Sequence, residues 1–141
     1  MGNVYALITL KNIGDLAMVS RGLINDSDIR AVELSALVDT GAITLIISDA
    51  VCEELGLGIQ ETTTVTLAND DSVICKIADP VEIQWKQRRS VCRPWVLPGA
   101  GEVLLGVIPL EDMDLMVDPK KQELTGRHGE KQVGMAKCYT K

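Results

Sequence analysis

The chain has no phenylalanine, and its aromatic side chains are Trp85, Trp95, Tyr5 and Tyr139 alone, 3% of 141 residues. A core without aromatic bulk must be assembled from Val, Ile and Leu, and β-branched residues favour strands. Histidine is scarcer still. His128 stands alone with no Cys/His cluster about it, so no metal and no other cofactor is expected. The four cysteines, Cys52, Cys75, Cys92 and Cys138, show neither C-x-x-C nor tight pairing, and read as free thiols of a reducing compartment. No apolar run is long enough to span a bilayer and no signal peptide is read ahead of the domain. A cytoplasmic chain with no membrane partner is therefore expected. Met1-Gly2 opens like an N-myristoylation start, but position 6 is Ala where Ser or Thr is wanted. An excess of positive charge is also missing. A net charge of −6 argues against a nucleic-acid partner, since phosphates need a basic face. Lys86, Arg88, Arg89 and Arg93 form a local basic cluster, read here as a solvated hairpin tip.

What is present fits one domain with a real core, at 46% hydrophobic residues. Residues 4–10, 16–24, 29–38 and 43–47 read as strands separated by polar turns. Ser48 is a suitable N-cap for a short helix over 49–55, stopped by Gly56. Residues 62–67 and 73–77 form a long hairpin, 81–85 and 91–97 a second one around a turn at 86–90, with Trp85 and Trp95 on its facing strands as packing residues. Residues 103–105 make a short buried strand, Pro109 suits a first helical turn, and 115–117 with 122–124 close the domain. Many short strands with one or two short helices make the fold class all-β, a sandwich or barrel. The domain is drawn as 1–125, with 126–141 a basic tail, flexible or peripheral.

One stretch stands apart: Ala36-Leu37-Val38-Asp39-Thr40-Gly41-Ala42. Apolar residues run into an aspartate and resume at once with Ile43, Leu45, Ile46 and Ile47. A lone carboxylate in a buried run is costly unless it is hydrogen-bonded or changes its protonation state, which makes Asp39 a candidate for chemistry. Asp-Thr-Gly is also ordinary turn chemistry, but polar turns are usually flanked by polar residues. Val103-Leu104-Leu105-Gly106 repeats the outline of two apolar residues and a glycine later in the chain.

Asp-Thr-Gly, then a threonine-rich hairpin with a small tip, then Leu-Leu-Gly before a helical turn, occur in that order over residues 4–124. In that arrangement the chain resembles the retroviral-type aspartic proteases, the retropepsins, and more closely their small bacterial relatives. The resemblance implies an acid-protease barrel with one catalytic half per chain. It implies Asp39 as the catalytic acid, Thr40 donating hydrogen bonds beneath the carboxylate, and Gly41 and Ala42 shaping the turn. Leu105-Gly106 would pack under that turn, and Ala68, Asn69, Asp70, Asp71 and Ser72 would form the tip of a flap over substrate. Two positions depart from the pattern: Asn69-Asp70-Asp71 replaces a glycine-containing tip, and Ile43-Thr44 stands where relatives often place polar residues.

Activating water against an amide takes one carboxylate as base and one carboxylic acid to polarise the carbonyl. Two carboxyls in contact share a proton, the familiar account of aspartic proteases. With one Asp-Thr-Gly per chain, the second carboxyl must come from Asp39 of another copy across a two-fold axis. The expected protein is therefore a homodimeric aspartic endopeptidase whose other partner is an extended peptide. The alternative is a non-catalytic dimerisation or peptide-binding module of the same fold. A thiol-based sensor using the cysteines is a third reading. Cys52 itself reads as a small buried apolar residue.

Overall fold

In β1 (Tyr5–Asn12) Ala6, Ile8, Leu10 and Asn12 turn inward while Tyr5 and Leu7 face out, the two-residue period of a half-buried strand. The structure, a computed structural model, describes residues 2–130. Eight further strands join β1: β2 (Ala31–Val38), β3 (Ile46–Ile47), β4 (Ile59–Thr66), β5 (Ser72–Ala78), β6 (Val81–Trp85), β7 (Arg88–Cys92), β8 (Trp95–Val96) and β9 (Leu104–Leu105). They form one sheet in the order β4-β5-β8-β3-β9-β2-β1-β6-β7. Most neighbours are antiparallel, but β2 runs parallel to β9 and β3 to β8. β10 (Leu115–Asp118) and β11 (Glu123–Gly126) form a separate hairpin.

The sheet has to curl. Only Arg93 and Pro94 join β7, at one edge, to β8, six places away in the sheet order. Laid flat, that is about 29 Å at 4.8 Å per strand, and two residues cannot span it. Curling brings Arg93 to Glu61 on the opposite edge strand, Nη1 to Oε1 at 3.0 Å. The all-β class is as expected. The barrel is a half-barrel: its edges β4 and β7 are bridged by this side-chain pair and not by a ladder. Inside it Ile8, Leu10, Leu45, Ile47, Val81, Ile83 and Leu105 are fully or almost fully buried.

Three α-helices stand among the described residues: α1 (Ile13–Ser20), α2 (Asp49–Glu54) and α3 (Val107–Asp112). α2 starts at its Ser48 cap, whose side chain accepts from the Val51 amide, and α3 carries Pro109. The strand expected at 16–24 is instead α1. Asn12 caps it, accepting from the Asp15 amide at 3.0 Å and donating to Leu55 O at 2.8 Å. Asp15 then accepts from Arg30 Nε, Nη2 and backbone N, each at 2.9 Å. A polar helix start buried by a distant arginine outweighs the weak β preference of Leu16 and Val19.

Several further expectations are corrected. The turn at 86–90 is only Lys86-Gln87, with Trp85 opposite Arg88. Trp85 and Trp95 are not on facing strands, since Trp95 pairs between β3 and β5. Arg88 is no solvated tip. It is 5% exposed and its fork donates to Met113 O at 2.8 Å, Asp114 O at 3.3 Å and Gly129 O at 2.5 Å. With His128 Nδ1 at 2.6 Å from Asp114 Oδ2, these bonds tie residues 126–130 to the domain, so the boundary drawn at 125 cuts through β11. Residues 131–141, with Cys138 and Tyr139, lie outside the described residues.

Candidate active site

Asp39 lies one residue past the end of β2, where that strand is flanked by β1 and β9. Leu37 pairs with Leu104 and Val38 with Leu105, the Val38 amide donates to Val4 O at 2.8 Å, and the Asp39 amide donates to Leu105 O at 3.0 Å. The backbone under the acid is therefore fixed on both sides. The chain then turns sharply: the Ala42 amide returns to Asp39 O at 3.1 Å, and the Gly41 amide donates to Asp39 Oδ1 at 2.8 Å. An amide aimed at one carboxyl oxygen fixes the side chain and leaves the other oxygen free for a proton or a water.

Gly106 explains the second glycine element. A β-carbon there would collide with the carbonyl oxygens of Ala42 and Thr44, so only glycine lets β9 pass under the turn. Just beyond it, Val107 N donates to Ala42 O and Ile108 N to Ile43 O, both at 2.9 Å. Leu105 and Ala42 are buried. Leu105-Gly106 is thus brought beneath the Asp39 turn.

Asp39 itself is half-buried, and Thr40 and Gly41 are exposed. The carboxyl lies at the surface of the single chain and not within its core. Thr40 makes no side-chain hydrogen bond among the described residues, so the bond expected beneath the carboxylate is not found there. Two hollows of about 440 and 460 Å³ lie against the β6–β7 hairpin, and Asp39 does not line them. A smaller basin of about 270 Å³ does reach the turn, lined by Thr40, Val107, Leu110 and Met116 among others.

The β4–β5 hairpin carries the expected flap tip, and nearly all of β4 is exposed. The tip is residues 67–71, and Ser72 is the first residue of β5, paired with Thr66. Asp70 takes φ 67°, the left-handed conformation usual for glycine and tolerated by Asp. Asn69 Nδ2 donates to Asp71 Oδ2 at 3.0 Å, and the Asp71 amide to Asn69 Oδ1 at 3.1 Å. Asn69 and Asp71 thus bond to each other around that left-handed residue. No group of His, Cys, Asp and Glu suited to a metal occurs among the described residues, and no helix there is long and apolar enough to cross a membrane.

Ile43 stands out in the sequence only as a departure from the family's polar positions, and Val91 and Ile108 carry no signal there. All three are more or less half-exposed near the Asp39 turn, and Ile43 precedes β3 instead of starting it. Apolarity in the sequence predicts burial, so nothing there marks an apolar residue left bare.

No protein-family model matches the chain, and no curated protein does. Among solved structures it is similar to the retroviral protease-like domain of Ddi1 from Leishmania major, with 17% identity over 89% of this chain and 88% of that one, at a TM-score of 0.55. The EIAV protease complexed with the inhibitor HBY-793 is also similar, at 19% identity, 74% and 82% coverage and a TM-score of 0.46. At 17% identity the likeness to the first of these speaks for architecture alone, and with the mostly β, curled sheet it makes the fold retropepsin-like.

Proposed function

We propose that the chain is one half of a homodimeric aspartic endopeptidase, in which water held between two Asp39 carboxyls attacks the peptide bond of an extended substrate. The observation that carries this reading is a single carboxyl clamped by the Gly41 amide and the Asp39–Leu105 backbone bond, yet left open at the chain's surface. A lone open carboxylate can hold a water but cannot also supply the proton the carbonyl oxygen needs. A second Asp39, brought by a two-fold axis, supplies it.

In that arrangement Thr40, whose side chain makes no hydrogen bond among the described residues, bonds across the axis. The basin of Thr40, Val107 and Met116 is the surface the second copy covers. An extended peptide lies between the turn and the flap tip of Ala68, Asn69, Asp70 and Asp71, held by main-chain bonds and selected by pockets. The reaction needs no metal or organic cofactor.

The test is digestion of a denatured protein across acid to neutral pH, with and without a pepstatin-like inhibitor. Inhibitable cleavage that is lost in Asp39→Asn supports the reading, and full cleavage by Asp39→Asn ends it. A non-catalytic peptide-binding module of the same fold is the second reading, favoured by a flap tip whose Asn69 and Asp71 bond to each other. Peptide binding without any cleavage would establish it. The thiol reading loses ground, because burial pushes the Cys92 thiol up to about 11 and a neutral thiol is a poor nucleophile.

A further inference from the structure

Two strands each keep an edge without a neighbour. β11 pairs with β10 alone. β1 pairs with β2 from Tyr5 to Lys11 but with β6 only from Thr9 to Asn12. Residues 5–8 therefore have no second ladder among the described residues. A hollow of about 460 Å³ lies between these edges, lined by Tyr5, Ala6 and Leu7 on one side and by Glu123 and Leu124 on the other. It runs into the second hollow, of about 440 Å³, through their shared walls Trp85, Lys86, Glu123 and Leu124. Together they make a slot with strand edges along it, a shape that receives an extended chain.

Position names the occupant. The Gly129 amide donates to Gly126 O at 3.3 Å, closing a four-residue turn that sends the chain back along β11. Gly129 takes φ 100° there, and a β-carbon at Gly126 would meet Gly129 O and the Arg88 guanidinium, so both glycines serve the reversal. Arg88 Nη2 then donates to Gly129 O at 2.5 Å and to Glu130 O at 3.2 Å. β10 already takes the other edge of β11, and the Arg127 amide extends that pairing to Asp114 O at 2.8 Å. The returning chain is left with the open edge, and Glu130 lines the slot there. Residues 131–141, outside the described residues, come next in the sequence. Extended, they would reach about 36 Å, against about 26 Å for four residues each of β11 and β1.

Chemistry points the same way. Tyr5 is 48% and Leu7 63% exposed in the slot wall. Glu33 and Glu123 line it as well, and neither forms an ion pair among the described residues. The wall thus offers bare apolar surface and two uncompensated carboxylates. Residues 131–141 carry Lys131, Lys137 and Lys141 and no acid. In an extended chain the two-residue period sets Val133, Met135 and Tyr139 on the same face as those lysines. Apolar surface meets apolar side chains, and carboxylates meet cations. We propose that this slot is the seat of residues 131–141 of the same chain, which cover the open edges of β11 and β1. The proposal holds whether or not the chain cleaves peptides.

Two measurements on the full chain test this. Zero-length coupling by a carbodiimide joins a lysine to a carboxylate only where the two touch, and mass spectrometry maps the joined pairs. Nitrogen-15-labelled and unlabelled chains are first unfolded and refolded together in equal amounts, so that pairs within and between chains differ in mass. Hydrogen exchange is followed in the parent, in Leu7→Asp and in Met135→Asp. Circular dichroism checks that both variants are folded, as the exposure of Leu7 allows, and Met135→Asp serves alone if Leu7→Asp is not.

The expected result is coupling of Lys137 or Lys141 to Glu33 or Glu123 within single chains. Amides of residues 131–141 should exchange at least about tenfold more slowly than in a synthetic peptide of the same sequence. The variants should abolish that difference while β4 and β5 keep the parent rate. Coupling found only between labelled and unlabelled chains would make a second copy the occupant and overturn the proposal. Exchange at the free-peptide rate in the parent, or protection that survives in the variants, would overturn it too.

Discussion

Gly106 and Ala42 meet so closely that a β-carbon on the first would overlap the carbonyl oxygen of the second. That contact seats the strand end of β9 under the Asp39 turn, and the Asp39–Leu105 and Val107–Ala42 backbone bonds lie on either side of it. The position of the acid thus depends on a residue far from it in sequence.

Gly106→Ala should therefore cost more than an ordinary surface change. Overlap with backbone cannot be relieved by a rotamer, so a loss of about 2 kcal/mol or more is expected. Urea unfolding of the variant and the parent measures it. A midpoint unchanged within error would mean that the turn gives way easily and the acid is not held as described.

Asp15 and Arg30 yield a pH prediction. Hydrogen bonding to the Arg30 guanidinium holds the Asp15 carboxyl below the usual carboxylate range, against the opposing effect of its burial. A carboxylate with a lowered folded value stabilises the fold above its unfolded value, near pH 4, and that contribution is lost as pH falls through the folded value. The parent should lose more stability than Asp15→Asn between pH 5 and pH 2, about 1 kcal/mol or more in urea titrations. Parallel losses in the two proteins would contradict the assignment.

Arg88 should not tolerate lysine. Its planar fork reaches carbonyls of Met113, Asp114 and Gly129 together, and an ammonium cannot reproduce that geometry. Arg88→Lys is expected to speed amide hydrogen exchange in β10, β11 and residues 126–130 by about tenfold, leaving β1 and β2 unchanged. Uniform acceleration would indicate global destabilisation instead.

Cys92 should react slowly. With its thiol raised to about 11 by burial, a disulfide reagent at pH 8 should modify it at least about tenfold more slowly than a free exposed thiol. Rapid modification in a chain keeping only Cys92 would revive the thiol reading.

Legibility in the sequence followed local physics. β1 could be read because its own alternation sets its burial, β6 because Val81 and Ile83 alternate inward, and α2 because Ser48 signals its start. Asp39 stands out in the sequence because an acid interrupts an apolar run. α1 was illegible because its decisive partner, Arg30, is fifteen residues from Asp15. Arg88 reads as solvated from its charged neighbours, while its partners are carbonyls of residues 113, 114 and 129, brought close only by folding. Ile43 reads as strand material for the opposite reason, since nothing local says that an apolar side chain ahead of β3 stays bare.

Mixing tests the shared-carboxyl account most directly. Wild-type chain is held at a concentration where its specific activity no longer rises, and Asp39→Asn chain is added in equal amount. If each active unit draws one acid from each of two copies, activity per wild-type chain should fall to about half, and further as more variant is added. Activity per wild-type chain that stays constant at every ratio would show that one copy cuts alone, and would contradict the account.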